Sequence, residues 1–447
     1  VTLDHDSLRA EALALTAAWC RIPSVRGDRQ ALAAQVEAIR SWLIGRLGAE
    51  IVAIASPTGG APVIHARLDV GAAHTVILYN MYDVMPADPL GWSVPPFTGG
   101  DVVLDGVGPA FVARGAENNK GPLAGMLCAL ASLRDAGLLR VNVEILVEGE
   151  EESGSAGLRA YLADPDCRVR PARSALFPSF CEYGGGPARI YLGFSGIAKG
   201  AISARGGAWG GPQRAIHSSN APWIANPASR LVEALGLFGT APTGALGHIA
   251  LDAEAAAIVD TLAETFDPAA ELRFRHTQTF SLAGTPRALL THVLTTVSGS
   301  LSSLATEPPD ADGVIPQAAH ARFELRAPPG LDPGVLLGAY RTRLDRAGLD
   351  GIEITVDDCY AGHRFGGTAD GVAALAEAYR DAPLPPQTWP WAIGAAPAYA
   401  FAPHADSFLL AGLGRGGNAH GIDEFLALDG YGRFLLSLTR WLGAMAD

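Results

Sequence analysis

Four acidic side chains fall within five positions at Glu148-Gly149-Glu150-Glu151-Glu152, and small residues follow at Ser153-Gly154-Ser155. Carboxylates this close repel one another unless a positive group sits among them or one stays protonated. The first outcome makes a binding site for a cation. The second makes a proton carrier, since burial of Glu151 beside Glu150 and Glu152 would raise its pKa toward neutrality. The plainer alternative is a solvated acidic turn. Against it stands the apolar run Val143-Glu144-Ile145-Leu146-Val147, which reads as a buried strand and places the acids at its carboxyl end, where open α/β sheets bind ligands.

The elements that must hold this cluster follow from the apolar pattern. Helical spacing is predicted over residues 4–20 and 31–47, where Leu32, Val36, Ile39 and Leu43 share a face. Short β-like runs follow at 51–55, 63–68 and 76–80, the last leading into Met81-Tyr82-Asp83-Val84-Met85-Pro86. A loop rich in proline and glycine, 89–108, runs to Arg114-Gly115-Ala116-Glu117-Asn118-Asn119-Lys120-Gly121-Pro122, and a helix over 123–133 presents its N-terminus to that loop. Strand and helix in alternation predict a largely parallel sheet with helices on both faces.

At 447 residues the chain is too long for one ordinary core, so more than one domain is expected. A net charge of −13 argues against nucleic acid as partner, because phosphate binding needs a basic face. No run of about 18 apolar residues marks a membrane span. The start, Val1-Thr2-Leu3-Asp4-His5-Asp6, lacks the basic and apolar stretches of a secretory signal, and five scattered cysteines fit a reduced, cytoplasmic setting. Only Lys120 and Lys199 are lysines among 33 basic residues, a genomic bias rather than a functional sign. There is no Gly-x-Ser-x-Gly elbow with a plausible triad order, no Walker loop and no dinucleotide fingerprint.

Read together, Tyr82-Asp83-Val84, Arg114-Gly115-Ala116 with Lys120-Gly121-Pro122, and Glu148 to Ser155 resemble the M20 family of zinc peptidases, nearest its carnosinase-like and cytosolic nonspecific dipeptidase branch. Ile216-His217-Ser218, Asn226-Pro227, Val314-Ile315-Pro316 with Arg326, and Ala419-His420-Gly421-Ile422-Asp423-Glu424-Phe425 continue the resemblance in order. It implies an α/β fold, a zinc-peptidase-like mixed sheet with helices on both faces, formed by residues 1–196 and 359–447. An α+β lid and dimerisation domain of split βαβ type, 197–358, would be inserted between them. The lid is expected as strand 198–204, helix 227–237, strands 293–297 and 319–325, helix 333–347 and strand 352–356, with an extra stretch over 239–290. Helices at 368–379 and 424–445 and strands at 398–401 and 408–410 complete the first domain.

Carried over residue by residue, the resemblance departs from the family at one metal. The family's ligand histidine is Met81, its bridging aspartate is Asn118, and no acid stands near Phe177-Pro178-Ser179, with Cys181 and Glu182 the nearest substitutes. Glu152 and His420 remain as a residual second site. Together with the weak amide oxygen of Asn118, such a set is at or below the three protein ligands of a catalytic zinc. The expectation is therefore no cofactor, the alternative being a single weakly bound zinc or manganese ion.

The resemblance gives Glu151 the role of general base, Asp83 an orienting role in catalysis and His217 that of oxyanion stabiliser across a dimer interface. It assigns Arg326 to a substrate carboxylate, and Asn118 and Trp391 to substrate contact. Trp389 and Trp391 make that end of the pocket aromatic, and His404 and Asp406 are further residues expected to face the site. The functional expectation is an enzyme acting on an amide, peptide-like or amino-acid-derived small molecule by metal-independent acid–base or acyl-transfer chemistry. The alternatives are a one-metal dipeptidase or amidohydrolase, and a non-catalytic peptide-binding relative. A homodimer through the lid is expected, with no nucleic-acid or membrane partner.

Overall fold

The computed structural model describes residues 3–238, 246–309 and 312–446. Its larger sheet has eight strands in the spatial order Glu50–Ala55, Val63–Leu68, Asn142–Glu148, Thr75–Met81, Ser174–Pro178, Phe408–Ala411, Arg189–Tyr191 and Gln387–Trp389. Thr75–Met81 runs parallel to both its neighbours, so three adjacent strands end on the same edge, at Met81, Glu148 and Pro178.

These strands are buried on both faces, and their side chains alternate between two cores. Val76, Leu78, Val143, Ile145 and Val147 join the core beneath helices His5–Cys20, Arg29–Gly45, Lys120–Asp135 and Leu428–Ala444. Ile77, Tyr79, Met81 and Leu146 face the opposite core, with Ala156–Ala163, Ala253–Thr265 and Pro286–Thr295. The acid-bearing strand puts Glu144 on this second face, buried but held by Arg67 and His65.

A second sheet orders Ser298–Glu307, Ala318–Ala327, Gly193–Arg205 and Ile352–Tyr360, all antiparallel. Helices Pro227–Phe238 and Pro333–Arg346 cover one face through Leu231, Phe238, Leu337 and Tyr340. The other face carries Lys199, Glu324, Arg326, Asp358 and Tyr360, whose registers align across neighbouring strands. Gly193–Arg205 is common to both halves of the molecule: its first residues pair with His363–Arg364 and Ala392–Ala395, its remainder with the second sheet.

Several predicted elements differ. The strand expected at 293–297 is the end of helix Pro286–Thr295, because Thr285 caps its start, Pro286 occupies its first turn and Leu289, Leu290, Val293 and Leu294 form a helical stripe. Pro397 turns 398–401 into a short 3-10 helix. The loop 89–108 contains a strand at Gly100–Leu104, which pairs with Gly108–Val112. The last helix begins at Leu428, after a strand at Phe425–Ala427. Of the extra stretch 239–290, residues 239–245 lie outside the described residues.

Candidate active site

Each carboxylate of the acidic turn has its own environment. Glu148 is buried and accepts a 2.6 Å hydrogen bond from the Tyr79 hydroxyl; burial raises its pKa to about 7. Glu150 accepts the Gly157 N–H at 3.0 Å, near the start of the next helix. Glu151 is half-buried, and its pKa stands well above the carboxylate range through burial and then the charges of Glu152, Asp83 and Glu148. Lys199 opposes that shift. Glu152 accepts from the Asn118 amide at 2.8 Å and lies 3.0 Å from His420 Nε2.

Asp83 holds this turn in place. Its buried carboxylate accepts the backbone N–H groups of Glu151 at 3.3 Å and Glu152 at 3.1 Å. Burial, with Glu148 and Glu152 nearby, drives its own pKa upward. Gly149 is required in the same turn because a Cβ would meet the Tyr82 ring at 2.3 Å. At the end of the same turn, Gly154, with φ of +104°, abuts Asp358 of the second sheet, whose carboxylate takes a 2.6 Å bond from Arg159.

Asn118, Glu152 and His420 form a closed triangle. Asn118 Nδ2 lies 2.8 Å from Glu152 Oε1 and 3.1 Å from His420 Nε2. With the amide in this orientation, His420 Nε2 cannot both accept from Asn118 and donate to Glu152, since a ring nitrogen has one in-plane position. Turning the amide would present Oδ1 instead, leaving oxygen, oxygen and nitrogen donors converging. The edges are close to the spacing of about 3.3 Å between ligands of a tetrahedral ion with bonds of about 2.0 Å. Among the described residues, no three His, Cys, Asp or Glu side chains gather in this way, so a cation here would rest on Glu152, His420 and the Asn118 amide. The hydrogen bond to Glu152 raises the pKa of His420.

Sequence reasoning missed the support beneath this triangle. Glu424 is buried, pairs with Arg114, and accepts the N–H groups of Glu117 at 3.0 Å and Asn118 at 2.8 Å. Glu117 is also buried; one carboxylate oxygen lacks a partner, and burial pushes its pKa up to about 8. Lys120 donates to the carbonyls of Trp19 and Ile22, with its pKa lowered to about 8 by burial. The carboxylates of Glu424 and Glu152 that act on Glu117, and those of Asp83 and Glu424 that act on Lys120, come from segments far apart in sequence, and no local spacing announces them.

The neighbouring corner is sealed. Met81 and Phe180 are buried, and the Asn119 amide donates to Asn80 at 2.9 Å and to the Pro178 carbonyl at 3.1 Å. Both expected substitutes are buried. The Cys181 thiol is buried and pushed up to about 12, while Glu182 is paired with Arg433 at 2.5 Å.

The remaining sequence-derived residues are more dispersed. His217 is exposed on Ile216–His217, with Nδ1 2.9 Å from Ser219 Oγ. Arg326 bonds Glu324 at 2.8 Å and lines a cavity that also contains Trp389. Trp391 is buried and lines a different cavity, with Asp252 and Arg364. His404 Nε2 lies 2.9 Å from the Leu162 carbonyl, and Asp406 is exposed.

A carboxylate turn at the carboxyl edge of a mixed sheet, touching a second, antiparallel sheet, defines a two-layer α/β protein. The model of Peptidase family M20/M25/M40 matches residues 77–442, and the chain belongs to that family. Cys-Gly metallodipeptidase dug1 of Schizosaccharomyces pombe is 40% identical over 103 residues, covering 21% of each chain. The Beta-Ala-His dipeptidase of Homo sapiens is 34% identical over 133 residues, 27% of this chain and 25% of the relative. The aligned part thus spans a fifth to a quarter of the length of these curated relatives. The structure of an M20 family metallo-carboxypeptidase, Sso-CP2 from Sulfolobus solfataricus, superposes with a TM-score of 0.84 at 23% identity, covering 98% of this chain and 99% of the other.

The expectation of no cofactor is corrected by these matches. The fission-yeast relative is by name a metallodipeptidase and the archaeal structure a metallo-carboxypeptidase. The ligand count along the sequence already held Glu152, His420 and the Asn118 amide, and the structure brings these three together.

Proposed function

We propose that this chain hydrolyses small peptide-like amides as a metal-dependent dipeptidase or amidohydrolase, with one divalent zinc or manganese ion at Asn118, Glu152 and His420. The observation that carries this reading is the placement of Glu151, a half-buried carboxyl of raised pKa, beside that triangle. The ion, when bound, supplies Lewis acidity that lowers the pKa of a water. Glu151 takes a proton from the attacking water and returns it to the leaving nitrogen; its elevated pKa suits both transfers. Asp83 fixes the turn that presents Glu151, and Arg326 orients the substrate carboxylate through its guanidinium.

The reading extends to a chain divided at 1–196, 197–358 and 359–447, and to a homodimer through the lid, in which His217 serves the partner's oxyanion. Supporting the dimer is Ser298–Glu307, a ten-residue strand at the edge of the second sheet whose side chains are largely exposed. Five free cysteines support a reducing, cytoplasmic setting. No helix among the described residues is long and apolar enough to cross a membrane.

Metal-stripped protein assayed on a dipeptide panel tests the proposal. Activity is expected to return with zinc or manganese and to vanish in Glu151→Gln. Chelator-insensitive hydrolysis, or full activity in that variant, overturns it.

A further inference from the structure

Lys199 is one of two lysines among 33 basic residues, and the second sheet brings it to the acidic turn. On strand Gly193–Arg205 it stands between Glu324 of one neighbouring strand and Asp358 of the other. A bulge sets the second pairing: Asp357 is passed over between Val356 and Asp358, and pairs with Arg322 instead. Gly200 permits the close approach, since a Cβ there would meet the Thr355 carbonyl oxygen at 2.0 Å. Asp358 in turn touches the turn itself, because a Cβ built on Gly154 would meet its carboxylate at 2.0 Å. The Gly154 N–H bonds the Glu151 carbonyl at 3.0 Å. Lys199 is therefore one strand spacing, about 4.8 Å, from the residue that contacts the turn carrying Glu151. Consistent with that placement, its charge acts on the Glu151 carboxyl.

The other cations around the turn are committed. Arg159 bonds Asp358 at 2.6 Å and Arg326 bonds Glu324 at 2.8 Å, so both acids that flank Lys199 already have a partner. Buried Arg114 is paired with Glu424, and Lys120 donates to two backbone carbonyls. Lys199 is half-buried and makes no hydrogen bond or ion pair with any described residue. An ammonium left free in this way is available to a ligand. Its three rotatable N–H donors can follow an oxygen that passes from planar to tetrahedral geometry, whereas the planar fork of arginine, the usual cation of this chain, is matched to carboxylates.

We propose that Lys199 is a catalytic residue of amide hydrolysis: its ammonium donates a hydrogen bond to the scissile carbonyl oxygen and stabilises the negative charge that this oxygen gains when water adds. This rests on the hydrolase reading of the Glu151 site. Lys199 keeps its own protons throughout. Glu151 receives the proton of the attacking water and passes it to the leaving nitrogen, and the carbon–nitrogen bond breaks as the oxyanion returns to a carbonyl. A charge that appears only in the transition state is where a fixed cation gains the most rate.

The test is steady-state kinetics on the zinc-loaded full chain, with the dipeptide that the parent turns over fastest. Lys199→Met should lower kcat by about 10²- to 10³-fold and move KM by no more than roughly threefold. Its zinc affinity in a competition titration should match the parent's. A phosphinic analogue of the same dipeptide places tetrahedral anionic oxygens at the scissile carbonyl, and should bind the variant about tenfold or more weaker, while the product amino acids bind both proteins alike. Lys199→Arg should keep part of the turnover. Ethylammonium should raise kcat of Lys199→Ala in a saturable way, which a merely structural lysine would not show. Where Lys199→Met does not fold, Lys199→Gln carries the same expectations. Parent-like kcat in the variant, a loss confined to KM, or unchanged phosphinate affinity without amine rescue overturns the assignment. An active parent with a fully active Lys199→Met sinks the lysine alone, whereas a parent that cleaves no dipeptide sinks the hydrolase reading and the lysine's role with it.

Discussion

Two corners flank Glu151, and they have opposite characters. At one, Asn118, Glu152 and His420 converge with His420 half exposed, so the donors are open to exchange with solvent and ligand. At the other, Met81, Phe180 and the Asn80–Asn119 amide pair fill the space with buried side chains whose polar atoms are already matched. Both are built at the ends of adjacent parallel strands. The difference shows that the edge of the sheet does not by itself make a site. What separates the two is access: the His420 donor of the first corner reaches solvent, and Met81 and Asn119 of the second do not.

The largest effect expected from this contrast is on turnover. Glu151→Gln should lower kcat by about 10²- to 10⁴-fold in steady-state assays, the range for loss of a positioned proton carrier. A smaller loss would move the chemistry away from the boundary between the corners.

Next in size is a pH effect on folding from Glu148. Its folded pKa of about 7 lies above the ordinary 4.5, so its favourable protonated form contributes fully below about pH 4.5. That contribution is lost as pH rises toward 7. Urea unfolding of the parent and Glu148→Gln at pH 5 and pH 8 should differ by on the order of 3 kcal/mol in pH dependence. The variant keeps an acceptor for Tyr79, and equal slopes would place Glu148 in a wetter setting than described.

Asn118→Asp sharpens the comparison by adding charge to the open corner alone. Zinc affinity by competition titration should tighten by roughly tenfold or more, the scale on which even indirect partners of a ligand act. Unchanged affinity would remove Asn118 from the donor set. The smallest effect belongs to the sealed corner: Cys181→Ser should cost about 1 kcal/mol or less in thermal unfolding and leave the zinc titration unaltered.

Much of the framework was legible because burial on both faces writes long apolar runs. Val143–Val147 and the helix spacing of Leu32, Val36 and Ile39 leave little choice of element. Pro286 misled in the other direction, since its place in a first helical turn was hidden beside a β-branched stretch ending at Val297. At the site, the acid cluster announced itself by local density, whereas the pairing of Glu424 with Arg114 spans 310 positions. Trp389, and not Trp391, shares a cavity with Arg326 because the strand Gln387–Trp389 ends there and a bend carries Trp391 to a different cavity, a turn that periodicity does not encode.

Gly193–Arg205 follows Arg189–Tyr191 of the larger sheet after one residue and runs without a break into the second sheet, and the returning chain crosses it where Gly196 and Gly362 touch backbone to backbone. The two layers therefore share a spar instead of hanging from a slack tether. Any widening of the gap above Glu151 must be taken up as torsion along that spar, which ties the aperture admitting a substrate to the twist of one strand.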